Sequence, residues 1–115
     1  MKIVIFNEEL HSGMQMYLAL SNHFDVSIAD SKEDLMRLIN EHPVDFAFLD
    51  LNDGDKVDNT KFNIANELHK KQPRLHIIGI LGNHDAKVRK LAKGHGIRSI
   101  VTRPIKNREL LNVLS

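Results

Sequence analysis

The chain has 115 residues, no cysteine, 27% charged and 5% aromatic residues, and a formal net charge of +1. That length fits one globular domain, 1–115, with its own apolar core; zero cysteines exclude a disulfide scaffold and a thiolate metal site and suit the cytoplasm. No apolar run approaches the ~18 residues of a membrane span, and a start that turns acidic at Glu8 and Glu9 does not read as a secretory signal.

Lys2–Phe6 is a short run, β-branched at Ile3, Val4 and Ile5, and predicts a buried strand. Glu9 to Asn22 places Leu10, Met14, Tyr17 and Leu18 at helical spacing; Met16 and Leu20 fall off that stripe and are candidates for a contact surface. Phe24–Ala29 returns to strand chemistry. Asp30 or Ser31 then caps a helix carrying Leu35, Leu38 and Ile39, with Glu33 and Asp34 in its first turn. Val44–Leu49 is a third strand, entered through His42-Pro43.

Residues 50–59 are polar and turn-like, and Thr60–Lys71 predicts a helix presenting Phe62, Ile64, Ala65 and Leu68. Leu75–Leu81 is the fourth strand. Asp85–Lys93 is the fourth helix, with Val88, Leu91 and Ala92 expected inward and Gly94 or Gly96 at its end. Ser99–Thr102 and Asn107–Leu114 complete the pattern as strand and helix.

Five strands alternating with five helices imply an α/β fold: a doubly wound parallel sheet, (βα)5, with the flavodoxin-like strand order 2-1-3-4-5. Such sheets bind ligands at the carboxyl ends of the strands, where the order reverses. Those ends carry Asn7, Glu8 and Glu9, then Asp50, then Leu81 and Gly82, then Arg103-Pro104. Carboxylates converging there repel, so they favour a hard cation or raise a carboxyl pKa, and all-oxygen donors suit Mg²⁺ or Ca²⁺. Arg103 either pairs with Asp50 or contacts a phosphoryl oxygen.

At these residues the chain resembles, over nearly its whole length, the receiver domain of two-component response regulators. The resemblance rests on Asn7-Glu8-Glu9 after the first strand, on Phe48-Leu49-Asp50-Leu51-Asn52, on Thr102-Arg103-Pro104-Ile105, and on an Asp-to-Arg spacing of 53 residues. It implies Asp50 as phosphoacceptor, Glu8, Asp50 and the Asn52 carbonyl as Mg²⁺ ligands with Asn7, Glu9 and Asp53 as further candidates, and Arg103 in place of the usual lysine before a cis proline. Its partners would be a histidine kinase or phosphotransfer protein and a downstream effector, with a homodimer also open. Catalysis would be limited to self-phosphorylation and dephosphorylation at Asp50. Two departures stand out: Leu81 falls where the family has Thr or Ser, and Ile100 where it has a switching aromatic. With Asn7 for an acid, Mg²⁺ binding is expected to be weak, and a phosphorylation-independent pseudo-receiver is the alternative.

Residues 1–60 carry 4 basic and 12 acidic side chains; residues 61–115 carry 12 and 3. Lys87, Arg89, Lys90 and Lys93 on the fourth helix, with Lys106 beyond, are expected to form an outward basic surface for an acidic partner. A nucleic-acid role is disfavoured by one Tyr, no Trp and no binding motif. A flavin or nucleotide enzyme is disfavoured by the lack of a glycine-rich phosphate loop. The seven histidines show no H-E-x-x-H spacing, and Asp-Leu-Asn-Asp-Gly-Asp lacks the closing Glu of a calcium loop.

Overall fold

Alternation with period two divides the strand side chains between two faces of one sheet. Ile3, Ile5, Phe48, Ile78, Ile80 and Val101 pack on one side with Met16, Leu20, Leu110 and Leu114. Val4, Leu49, Leu51, Ile77, Leu81 and Ile97 pack on the other, against the second, third and fourth helices. The computed structural model describes residues 1–7, 9–53 and 56–114, Leu10 and Asp53 by backbone alone.

In chain order the elements are β1 (Lys2–Phe6), α1 (Leu10–Leu20), β2 (Asp25–Ile28), α2 (Lys32–Glu41), β3 (Phe46–Asp50), β4 (Asn52–Asp53), β5 (Lys56–Val57), α3 (Thr60–Lys71), β6 (His76–Leu81), α4 (Ala86–Gly94), β7 (Ile97–Thr102) and α5 (Asn107–Val113). The main sheet runs β2-β1-β3-β6-β7 with every neighbour parallel. Counted over its five strands alone, this is the expected order 2-1-3-4-5. α1 and α5 lie on one face and α2, α3 and α4 on the other, so the connections leaving the neighbouring strands β1 and β3 go to opposite faces and leave a crevice at their carboxyl ends.

Local chemistry sets the helix starts. Ser31 accepts from the Asp34 N–H at 3.1 Å to cap α2, and Asp85 accepts from the Lys87 and Val88 N–H groups at 3.0 and 3.2 Å to cap α4. α3 has no side-chain cap at Asn59; Asp58, one residue earlier, accepts from the Thr60 N–H at 3.0 Å.

Four expectations are corrected. The buried face of α1 carries Met16 and Leu20, while Met14 and Leu18 are 43% and 65% exposed. This helix is apolar nearly all round, so periodicity could not select its inner face; Ser12 and Gly13 seat it against Asn7. On α4, Ala92 is buried and Val88 partly so, but Leu91 is 47% exposed, because a nine-residue helix over an edge strand buries a narrow stripe. The turn after Asp50 contains a short antiparallel hairpin, β4 with β5. β7 begins two residues early, at Ile97, since an edge strand tolerates the exposed Arg98.

Candidate functional site

β3 delivers Asp50 to the crevice with 2% of its surface exposed, although its neighbours in the strand are apolar. A carboxylate so deeply placed needs partners for both oxygens. Oδ1 accepts from the Asn52 N–H at 3.0 Å, and Oδ2 lies 3.0 Å from Arg103 Nη2. Arg103 arrives from the end of β7, where its own N–H donates to the Leu81 carbonyl at 2.9 Å and the Arg103-Pro104 peptide is cis.

The guanidinium reaches four groups. Nη2 donates to Asn7 Oδ1 at 2.9 Å as well as pairing with Asp50, and Nε donates to Ser12 Oγ at 3.3 Å and lies 3.9 Å from Glu9 Oε2. Only a planar fork can bridge that set; an ammonium would serve one or two of its members. Asn7 suits this role because its amide works in both directions. Oδ1 accepts from Arg103 and from the Glu9 N–H, while Nδ2 donates to Ser12 Oγ at 2.7 Å. Glu9 is also the cap of α1, accepting from the His11 and Ser12 N–H groups. The Ser12 hydroxyl, then these backbone donors and more distantly Arg103, hold its carboxyl below the ordinary range.

Of the candidate residues, Asn7, Glu9, Asp50, Asn52 and Arg103 are brought together. Glu8 and the Asp53 side chain lie outside the described residues, so neither is placed. Among the described residues no group of three or more His, Asp and Glu side chains converges as a metal site. Leu81 sits at the end of β6 opposite Thr102, and its side chain is buried in the α2–α4 core. Ile100 is half-buried against the same core.

The basic residues separate into two kinds. Lys87, Lys90 and Lys93 are exposed on α4. Arg89 is half-buried and corrects the expectation of an outward charge: Nη2 donates to Thr102 Oγ1 at 3.2 Å and lies 3.3 Å from His84 Nδ1, tying α4 to β7. Lys106 is exposed on the rim of a groove of about 430 Å³ that includes His84, Thr102 and Arg103.

Two contributors escaped the sequence reading. Ser12 looked like an ordinary helix residue. Lys61, 2% exposed, donates to the Asp50 carbonyl at 3.0 Å, lies 3.7 Å from Asp58 Oδ2 and stands over the Phe6 ring at 5.4 Å. A signal for it existed: Lys61 falls on the helical stripe of Ala65 and Leu68.

The sheet order defines a flavodoxin-like (βα)5 domain with its crevice at the carboxyl ends of the strands. Among solved structures the chain is similar to a response regulator receiver domain protein from Methanospirillum hungatei, with a TM-score of 0.82 and 17% identity over 98% of this chain and 89% of that one. It is similar to a response regulator from Thermotoga maritima, with a TM-score of 0.87 and 15% identity over 98% and 92%. The receiver domain of NtrX from Brucella abortus gives 0.85 and 21% over 97% and 93%, and within a longer NtrX chain the match spans 25% of that chain. At these identities the likeness is one of fold. No protein-family model and no curated protein matches the sequence.

Proposed function

We propose that this chain is a receiver module of phosphorelay signalling in which Asp50 accepts a phosphoryl group from a phosphohistidine of a kinase or phosphotransfer protein. The observation that carries the reading is the buried Asp50 carboxylate held beside a fixed guanidinium at the reversal point of the sheet. Phosphoryl transfer depends mainly on positioning and charge neutralisation, and this arrangement offers both. A carboxylate oxygen would attack phosphorus as the N–P bond breaks. Asn7 Oδ1, the Asp50 carboxylate and the Asn52 carbonyl are oxygen donors of the kind Mg²⁺ prefers, and the ion would supply charge neutralisation for the phosphoryl oxygens. Arg103 must first leave Asn7 Oδ1, so metal binding is expected to be weak. Lys87, Lys90 and Lys93, exposed on α4, would receive an acidic effector.

A second reading, a pseudo-receiver that binds partners without phosphorylation, is favoured by Leu81. An apolar side chain buried in the core supplies no hydroxyl to a phosphoryl group. Incubation with a small phosphodonor and Mg²⁺, read by mass spectrometry with Asp50→Asn as control, decides between them. A phosphoryl adduct on Asp50 is the expected result; no adduct under any phosphodonor leaves the pseudo-receiver.

A further inference from the structure

Asn52 links the turn after Asp50 to two other segments of the chain. Its N–H donates to Asp50 Oδ1 at 3.0 Å, its Oδ1 accepts from the Gly82 N–H at 2.7 Å, and its Nδ2 donates to the Lys56 carbonyl at 3.2 Å. The amide can face only one way, since one end meets a donor and the other an acceptor. Asn52 is 7% exposed, so these bonds are made where water does not compete freely. The base of the hairpin is closed beside Asn52, where the Asp58 N–H donates to the Leu51 carbonyl at 2.8 Å.

Beyond Gly82 come Asn83 and His84, both exposed, and then Asp85, the cap of α4. A hydrogen-bonded path therefore leads from the Asp50 carboxylate through one residue to the loop that positions α4. The other carboxylate oxygen feeds a different path, through Arg103 to Asn7 and Ser12 on α1.

We propose that Asn52 is a positioning residue that carries the state of the Asp50 carboxylate to the Gly82–Asp85 loop, replacing the hydroxyl relay that Leu81 removes. The inference rests on reading Asp50 as the signal-receiving carboxylate. With the carboxylate phosphorylated or replaced by an amide, one carbonyl oxygen is left for two donors; the charged Arg103 guanidinium takes it, and the Asn52 N–H must find another acceptor. The hairpin then re-seats, and the Gly82 N–H, held by the Asn52 side chain, moves with it. Coupling of this kind needs a physical element that both sites bias, and the hairpin with its bond to Gly82 is that element.

The test is a double-mutant cycle read on backbone amides, with no phosphodonor present, so that it remains decisive even if Asp50 is never phosphorylated. Asp50→Asn should shift the amides of Gly82, Asn83 and Asp85–Val88, and also those of Glu9–Ser12. In an Asn52→Ala background the response at 82–88 should shrink at least about threefold while the response at 9–12 persists, the signature of pairwise coupling. Asn52→Asp, which keeps an acceptor for the Gly82 N–H, should restore it. Equal responses at 82–88 with and without the Asn52 amide would overturn the proposal. Should Asn52→Ala fail to fold, hydrogen exchange of the Gly82 amide decides: Asp50→Asn should speed it, and unchanged protection overturns the relay.

Discussion

At the scale of single residues, Arg103 is the charged partner of the buried Asp50 side chain. Removing one partner of a buried ion pair strands the other, so Arg103→Ala should lose about 3 kcal/mol, the low end for such pairs because the guanidinium keeps 19% side-chain exposure. Mg²⁺ should then raise the Tm of Arg103→Ala more than that of the wild-type chain, since a ligand that binds the folded state stabilises it by mass action. Thermal melts with Mg²⁺ against chelator read both effects; equal Mg²⁺ responses would mean that Arg103 does not compete for the oxygen donors. His76 gives a second residue-scale test. Its ring stacks on Phe46 at 5.1 Å and lies 3.3 Å from Ser99 Oγ. Burial, then Arg98 and His69, lower its pKa from 6.5. The folded state therefore resists protonation, and the unfolded chain takes up the proton first. Stability should be level above pH 7 and fall as pH drops through about 6.5. His76→Gln should flatten that window in urea titrations at stepped pH.

At the scale of elements, the α4–β7 seam holds by two different devices. Arg89 ties the helix to Thr102, whereas Lys87, Lys90 and Lys93 point to water. Arg89→Ala should cost about 1.5 kcal/mol, the low end for a hydrogen bond from a charged donor because the bond is only part-buried, and each Lys→Ala should stay within about 0.5 kcal/mol. Urea denaturation of the four variants checks the ranking; equal costs would mean that Arg89 is as free as the lysines. Where α4 turns into β7, Gly96 has φ +82°, and a Cβ there would stand 2.5 Å from the His69 ring. Gly96→Ala should cost about 1–2 kcal/mol from backbone conformation alone. The clash adds to this, and His69→Ala in the same chain should recover the clash but not the conformational part. Full recovery in the double variant would show that backbone conformation contributes little.

At the scale of the whole molecule, acidic and basic residues are divided by sequence, and the fold gives that division a direction. The acidic half supplies β1, β3 and the Asp50 crevice; the basic half supplies Arg103 to the crevice and the exposed lysines to α4. Ion pairs join the halves at Asp50–Arg103, Glu9–Arg103, Asp58–Lys61 and Lys32–Glu67, and the exposed Lys87, Lys90 and Lys93 present positive charge that would attract an acidic partner. Reversing Lys87 and Lys90 to Glu should slow association with an acidic effector chiefly at low salt, because exposed charges are screened within about 10 Å at 0.1 M. Stopped-flow rates across a salt series would show this as a flattened slope. A slope unchanged by the reversal would place the partner elsewhere.

Local chemistry determined much of this molecule. A helix cap at Ser31, strand runs leading to Asp50, and the alternation of elements sufficed to order the sheet and to name Asp50, Asn7 and Arg103 as strand-end residues, because these signals lie within a few residues of one another. What the tertiary structure decided was partnership. Arg103 meets Ser12 and Asn7 across 91 and 96 residues, and Asn52 meets Gly82 across 30, distances over which hydrophobic periodicity carries no register. The inner face of α1 followed the same rule: its sequence offers apolar residues on both sides, and the neighbours it packs against chose Met16 and Leu20. Lys61 was hidden for the opposite reason, since a charged side chain becomes a core residue only once folding supplies the carbonyl, carboxylate and ring that surround it.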